Sequence, residues 1–228
     1  MDGVYWGERT EQTAWCSIVA RDPKEGENLV WTFEKAETTS AYLHIRDELD
    51  RLGYLITSVT GDGFGGIRTA FSGIPFQMCQ VHMERLVIQG TTRRPELEAG
   101  VVLLALVKNL HETDSVTFDR RLKQYIAKYA PFLNERTIHP LSGESSWTHD
   151  NLRQAVHSLL NFQKYLFTFE RDKRIPQTTN SLEGHFRHIR DIVEVHCGLT
   201  KAQKERVLHS IFLAGSIAPS EEKLREIL

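Results

Sequence analysis

Along the first third of the chain, short apolar runs alternate with turn-forming polar segments. Thr13 to Asp22 and Asn28 to Glu37 are rich in Trp, Val, Ile, Phe and Thr. The polar stretch Pro23-Lys-Glu-Gly-Glu27 separates them, which is the pattern of a hairpin. In the second run Leu29, Trp31 and Phe33 alternate with polar neighbours, predicting a half-buried strand. Thr39 or Ser40 can cap a helix whose apolar positions are Tyr42, Ile45, Leu49 and Leu52, and Gly53 ends it. Leu55 to Thr60 reads as a third strand with Gly61-Asp62-Gly63 at its carboxyl end. A short helix from about Gly66 to Phe71 leads to a fourth strand, Phe76 to Val81.

Beyond this point the period changes from two to that of a helix. Pro95 opens a strongly apolar helix reaching about Leu110. Phe118 to Tyr129 forms a second, which carries Arg120, Arg121, Lys123 and Lys128. Asp150 to Tyr165, Ser181 to Val195 and Thr200 to Leu213 form three more. No internal repeat or low-complexity segment interrupts the chain. The outline is a strand-rich α/β core, a helical block and a closing helix pair.

Composition narrows the class. The 228 residues suit one large domain or one domain with an insertion, and 40% hydrophobic content supplies a core. The longest apolar run, Val101 to Val107, is far too short to span a bilayer, and no signal pattern opens the chain. Three cysteines, Cys16, Cys79 and Cys197, do not make a disulfide framework. These features predict a cytoplasmic globular protein. The net charge of −2 gives no bulk attraction for nucleic acid, so any case for DNA rests on local clusters of Lys and Arg. Composition alone favours a soluble enzyme with a small substrate.

Three acids stand out by position. Asp2 precedes the hairpin, Asp62 ends a strand, and Glu183 lies in the first turn of a late helix. Carboxylates at strand ends and a helix start can converge on one edge of a sheet. Converging carboxylates repel one another unless a cation neutralises them, and hard oxygen ligands favour Mg²⁺ or Mn²⁺. Each acid also has a plainer role. Asp2 can be a loose terminal residue, and Asp62 between glycines a turn residue. Glu183 can close a capping box with Asn180. The glycine-rich stretch Gly61-x-Gly63-x-Gly65-Gly66 lacks the Lys of a phosphate-binding loop and misses the dinucleotide spacing.

Four motifs in order, Asp2-Gly-x-Tyr-Trp6, Thr60-Gly-Asp-Gly-x-x-Gly66, Phe76-Gln-Met-Cys-Gln-Val-His82 and Thr178-Thr-Asn-Ser-x-Glu-Gly184, resemble the bacterial insertion-sequence transposases related to Mutator elements. The resemblance runs from Asp2 to about Lys204. It implies an α/β, ribonuclease H-like mixed sheet with an all-helical insertion between the second Asp and the Glu. The catalytic core would be 1–82 with 176–228, and the helical insertion 83–175. It further implies that Asp2, Asp62 and Glu183 are the DDE ligands of two Mg²⁺ or Mn²⁺ ions. Two such ions about 4 Å apart serve an in-line phosphoryl displacement. The activity implied is cleavage and strand transfer of transposon-end DNA, and no convincing Ser-His or Cys-His nucleophile pair competes with it.

Further residues carry chemistry around these acids. Cys79-x-x-His82 is half of a zinc site, with His196 and Cys197 the candidates for the other half. The alternative is a small core cysteine and a hydrogen-bonding histidine, and the resemblance places this pair beside the acids as site-supporting groups. Trp147 is either a core residue or, by the resemblance, a ring that stacks on an unpaired base. Arg171, Lys173 and Arg174 precede the Glu183 motif. His185, Arg187, His188 and Arg190 follow it, with Lys201, Lys204 and Arg206 beyond. Arg187 and Arg190 share a helix face. The run is either a solvated face or a phosphate-contacting strip. The DNA contacts expected are Trp147, Arg174, Asn180, Arg187 and Arg190. Arg93-Arg94 and Arg120-Arg121 are possible extensions of the strip.

Two departures from the family pattern stand out. The strand expected to carry the first Asp would precede Met1, and no helix-turn-helix region lies ahead of Asp2. Both point to a truncated or split reading frame. The rival classes are an inactive remnant that binds DNA or partner subunits, and a ribonuclease H-like nuclease with four acids. Pairing of two element ends implies a homo-oligomer on DNA.

Overall fold

The computed structural model describes residues 1–7, 13–195 and 198–216. In chain order the elements are β1 (Asp2–Trp6), β2 (Trp15–Asp22), β3 (Glu27–Glu34), α1 (Thr39–Arg51), β4 (Val59–Gly61), α2 (Gly65–Ala70), β5 (Phe76–Met78) and α3 (Gln80–Thr91). There follow α4 (Glu98–Lys108), α5 (Ser115–Leu133), β6 (Arg136–Ile138), β7 (Ser145–Trp147), α6 (Asp150–Phe162), α7 (Asn180–Val195) and α8 (Lys201–Ala214). The chain forms two compact units. One is Met1–Phe76 with Thr179–Leu228, the other Gln77–Thr178.

The first unit is mixed α/β. β1, β2 and β3 make an antiparallel sheet in that order, with Asp2 opposite Val19 and Trp6 opposite Trp15. The opening segment is thus a strand in its own right, and Asp2 begins it. The expectation that this acid lacks a strand is corrected: Val4 and Trp6 anchor the segment in the core. The period of two puts Asp2, Val4 and Trp6 on one face, all buried. That face packs with Leu182, Phe186, Ile189 and Val193 of α7 and Leu208 and Phe212 of α8. In β3 Asn28 and Val30 are fully buried, while Trp31 and Phe33 pack at the edge of the same core. Helices cover both faces of this strand, so the simple half-buried alternation read from sequence does not hold.

Thr38 caps α1, its hydroxyl accepting from Ala41 N–H at 3.2 Å, one residue earlier than read from the sequence. Gly53 follows the helix at φ +82°, where a Cβ would be strained. The third strand is shorter than predicted. Only Val59–Gly61 pairs, and Leu55 is 89% exposed, so it has no core to join. β4 pairs with β5, the strand in which the chain leaves this unit. The amino group of Met1 donates to Thr60 O at 2.8 Å and ties β4 to the start of β1.

The second unit is helical. α3 packs on α4 and α6, and α5 on both of these. Its core includes Met83 and Val87, Leu103 and Val107, Phe118 and Leu122, Val156 and Leu159. Gln77 and Gln80 are buried and both donate to Leu166 O, at 2.9 and 3.1 Å, pinning the loop after α6. α3 is missing from the sequence reading, and of its apolar residues only Met83 and Val87 are buried. The β6–β7 hairpin is missing because its residues are exposed or only partly buried. Among the described residues no helix is long and apolar enough to cross a membrane.

Candidate metal centre

Strand alternation and helix start together build the centre of the first unit. Asp2 sits on the sheet face that α7 covers and is 7% exposed, with Oδ1 accepting from Gly3 N–H at 2.9 Å. Glu183 occupies the first turn of α7, half-buried. Ligand oxygens of Asp2 and Glu183 lie within 4.8 Å of each other, although the residues are far apart in sequence. Leu182 and Glu183 N–H both donate to Thr179 O, at 2.9 and 3.0 Å, so Thr179 stands at the N-cap and Asn180 is the first helical residue. Asn180 and Glu183 therefore do not hold the capping-box positions that the spacing suggested.

Asp62 does not join that close pair. It follows β4 directly and is partly exposed, and its Oδ1 accepts from Phe64 N–H at 2.9 Å across the turn made by Gly63 at φ +94°. It still shares an environment with Asp2. Tyr42, fully buried, donates to Glu37 Oε1 at 2.8 Å. Burial and the carboxylates of Glu37, Asp62 and Asp2 push its phenol well above the ordinary tyrosine range. Glu37 itself rests against Gly3, where a Cβ would collide with its Oε1. The sequence reading missed Glu37 and Tyr42; the only local signal was an acid between a strand and a cap.

Two carboxylates this close, one of them buried, offer the hard oxygen donors that Mg²⁺ or Mn²⁺ takes. Thiolate ligation has less support. Cys79 is buried just ahead of α3, and His82 lies in that helix's first turn, both in the second unit. His196 and Cys197, the proposed other half of a zinc site, lie outside the described residues.

The expected DNA contacts divide between the units. Arg187 and Arg190 are exposed on α7, as is Asn180. His185, read with them as part of a basic strip, is turned inward. Its Nε2 lies 3.0 Å from Asn28 Nδ2, and burial, Arg21 and His188 push its imidazole down to about 4. In the second unit Arg174 is exposed but held by Asp172, with an Nη2–Oδ2 distance of 2.6 Å. The guanidinium holds that carboxyl at about 2, so much of the local positive charge is neutralised. Trp147 is partly buried, with the guanidinium of Arg153 at 3.8 Å and that of Arg136 at 4.3 Å from its ring centroid. Its ring thus takes part in cation–π contacts.

The model of the Transposase IS66 family matches residues 4–194 of the chain. This is a transposase family, as the motifs imply, but it is not the Mutator-related group they resemble. Comparison with curated proteins and with solved structures gives no match.

Proposed function

The chain belongs to the IS66 family of transposases, and we propose that its first unit is a DDE-type catalytic core that cleaves and joins element-end DNA with Asp2, Asp62 and Glu183. The approach of Asp2 and Glu183 to within 4.8 Å carries this reading. Two carboxylates brought together from separate elements repel each other, and a shared cation would relieve that repulsion. Asp62 completes the set from the strand tied to β1. Its Oδ1 accepts from Phe64 N–H, and its carboxylate would supply the third acidic ligand. A ribonuclease H-like arrangement is part of this proposal; the sheets themselves are β1–β2–β3 and, paired separately, β4–β5.

Bound Mg²⁺ or Mn²⁺ would supply an activated water and neutralise charge on the leaving 3′ oxygen. The chain's own contribution is positional. The buried strand fixes Asp2, the start of α7 fixes Glu183, and Arg187 and Arg190 offer exposed charge on the same helix for phosphates. The attacking group is water or a DNA 3′-OH, so no protein nucleophile is required.

The test is strand cleavage of DNA carrying the element's ends, by the whole transposase with Mg²⁺. Asp62→Ala and Glu183→Gln should each reduce cleavage at least about a hundredfold, because metal stabilisation of the transition state amounts to several kcal/mol. Chelation with EDTA should abolish it. Undiminished cleavage by Asp62→Ala would remove that residue from the site.

A further inference from the structure

On the proposed reading of Glu183 as a metal ligand, we infer that Asn28 is a positioning residue. With Arg21 it grips one flank of α7 and sets the roll of the helix that carries Glu183 on its other flank.

The helix period separates the two flanks. At about 100° per residue, and with Ser181 at zero, His185 falls near 40°. Leu182, Phe186, Ile189 and Val193, the residues packed on the sheet, fall roughly between 80° and 140°. Glu183 falls near 200°. The apolar underside holds α7 against the sheet, but hydrophobic contact is non-directional and resists roll weakly. Directional bonds on the flank of Ser181 and His185 resist it more strongly. Arg21 Nε donates to Ser181 Oγ at 3.2 Å, and Asn28 Nδ2 lies 3.0 Å from His185 Nε2. Because Nδ2 can only donate, the imidazole nitrogen is the acceptor.

Asn28 is built to hold this position. It is 1% exposed and its side chain makes three hydrogen bonds. Nδ2 also donates to Phe212 O at 3.1 Å, and Oδ1 accepts from Arg21 Nη1 at 2.7 Å. A register shift between Ala20 and Arg21 sets Arg21 opposite Asn28 across β2 and β3, and such irregularities re-aim side chains. Its backbone N–H donates to Gly215 O at 2.9 Å. A Cβ on Gly215 would come within 2.8 Å of Nδ2, so a larger residue there would crowd the amide. Asparagine on a strand, surrounded by apolar core, is a costly choice without such a duty.

The lever is short and steep. Side-chain ends stand about 5–6 Å from a helix axis, so a 10° roll shifts a carboxylate by roughly 1 Å. Metal–ligand distances tolerate about 0.2 Å. Losing the flank bonds would therefore spoil the Asp2–Glu183 pair while the helix stayed folded on its apolar side.

The experiment measures Mn²⁺ binding by calorimetry on the whole protein without DNA, with thermal melting of every variant. His185→Gln keeps an acceptor facing Asn28 and should bind Mn²⁺ within a few-fold of wild type. His185→Leu and Asn28→Ala should bind about 10–100-fold more weakly, with the cleavage kcat falling and the KM for DNA unchanged. Ile211→Ala, which loosens the same core without touching a polar tie, should lower the melting temperature and leave Mn²⁺ affinity alone. Should Asn28→Ala not fold, the His185 pair decides. Equal affinity of His185→Leu and wild type would overturn the inference, as would an equal loss in Ile211→Ala. Unchanged binding in Glu183→Gln would instead overturn the metal-site reading on which the inference stands.

Discussion

Replacing Gly90 by alanine should destabilise the second unit, although the same change in an ordinary helix interior stabilises by up to about 1 kcal/mol. Gly90 lies in α3 on the stripe of Met83 and Val87, spaced four and three residues apart, the face that packs on α6. A Cβ there would stand 2.6 Å from Asn151 O and 2.7 Å from Ala155 Cβ. Neither atom is the end of a flexible chain: one is backbone, and the other belongs to a helix residue 3% exposed. Restoring contact at about 3.5 Å requires the helices to part by nearly 1 Å. A gap of that size forfeits roughly a quarter to a half of the dispersion energy across the facing side chains. Buried Leu152, Val156 and Leu159 of α6 share that loss. Overpacking of this kind costs about 1–3 kcal/mol, which outweighs the gain in helix propensity. Gly184 is the control: it also lies inside a helix, α7, but a Cβ there meets nothing within 4 Å. Gly184→Ala should be neutral or stabilising by up to about 1 kcal/mol. Urea denaturation followed by far-ultraviolet circular dichroism measures both. If Gly90→Ala matches or exceeds wild-type stability, α3 and α6 do not approach as described.

Two further outcomes bear on the first unit. Ile189 is fully buried under α7 whereas Val195 is 76% exposed on the same helix; urea midpoints should show Ile189→Ala losing about 2–5 kcal/mol and Val195→Ala almost nothing. Burial, then Glu37 and Glu34, pushes the Cys16 thiol up to about 12, so native Cys16 should resist thiol reagents at pH 8 and react only after denaturation, as read by mass spectrometry. The sign follows from the raised value: this thiol favours the folded state below its ordinary range near 9, and its contribution is lost as pH rises from there towards about 12. Rapid native labelling would show that the β1–β2–β3 sheet is open at Cys16.

What was legible in the sequence was what periodicity and punctuation encode. The hairpin of β2 and β3, the helix after Thr38 and the late helix bearing Glu183 all announce themselves through apolar spacing with turn or cap residues beside it. What escaped depended on partners distant in the chain. The segment Asp2–Trp6 reads only as the stretch ahead of the hairpin, and it is a strand because Trp15 and Val19 lie opposite it. α3 has two core positions and a glycine on its packing face, so its buried stripe carries little hydrophobic signal. Leu55 looked like a strand residue because it is apolar, yet it is exposed, since no facing element reaches it.

The same distinction runs through the candidate site. The acids Asp2, Asp62 and Glu183 stand out because each lies in a recognisable local motif. The groups that set their surroundings do not. Asn28 and His185 come from segments separated by most of the chain, and nothing local marks either as a partner of the other. Tyr42 sits at an ordinary core position of an amphipathic helix, yet its hydroxyl faces Glu37 beside Asp2. A buried polar side chain needs a partner, and that partner is chosen by the fold rather than by the neighbouring sequence. First contacts with a ligand are thus the most readable part of such a site, and the residues that hold them in place the least. Asn28 makes the point in physical terms: in sequence it is a polar residue at the start of a strand, and in the fold it is, with Arg21, a partner of the late helix far along the chain.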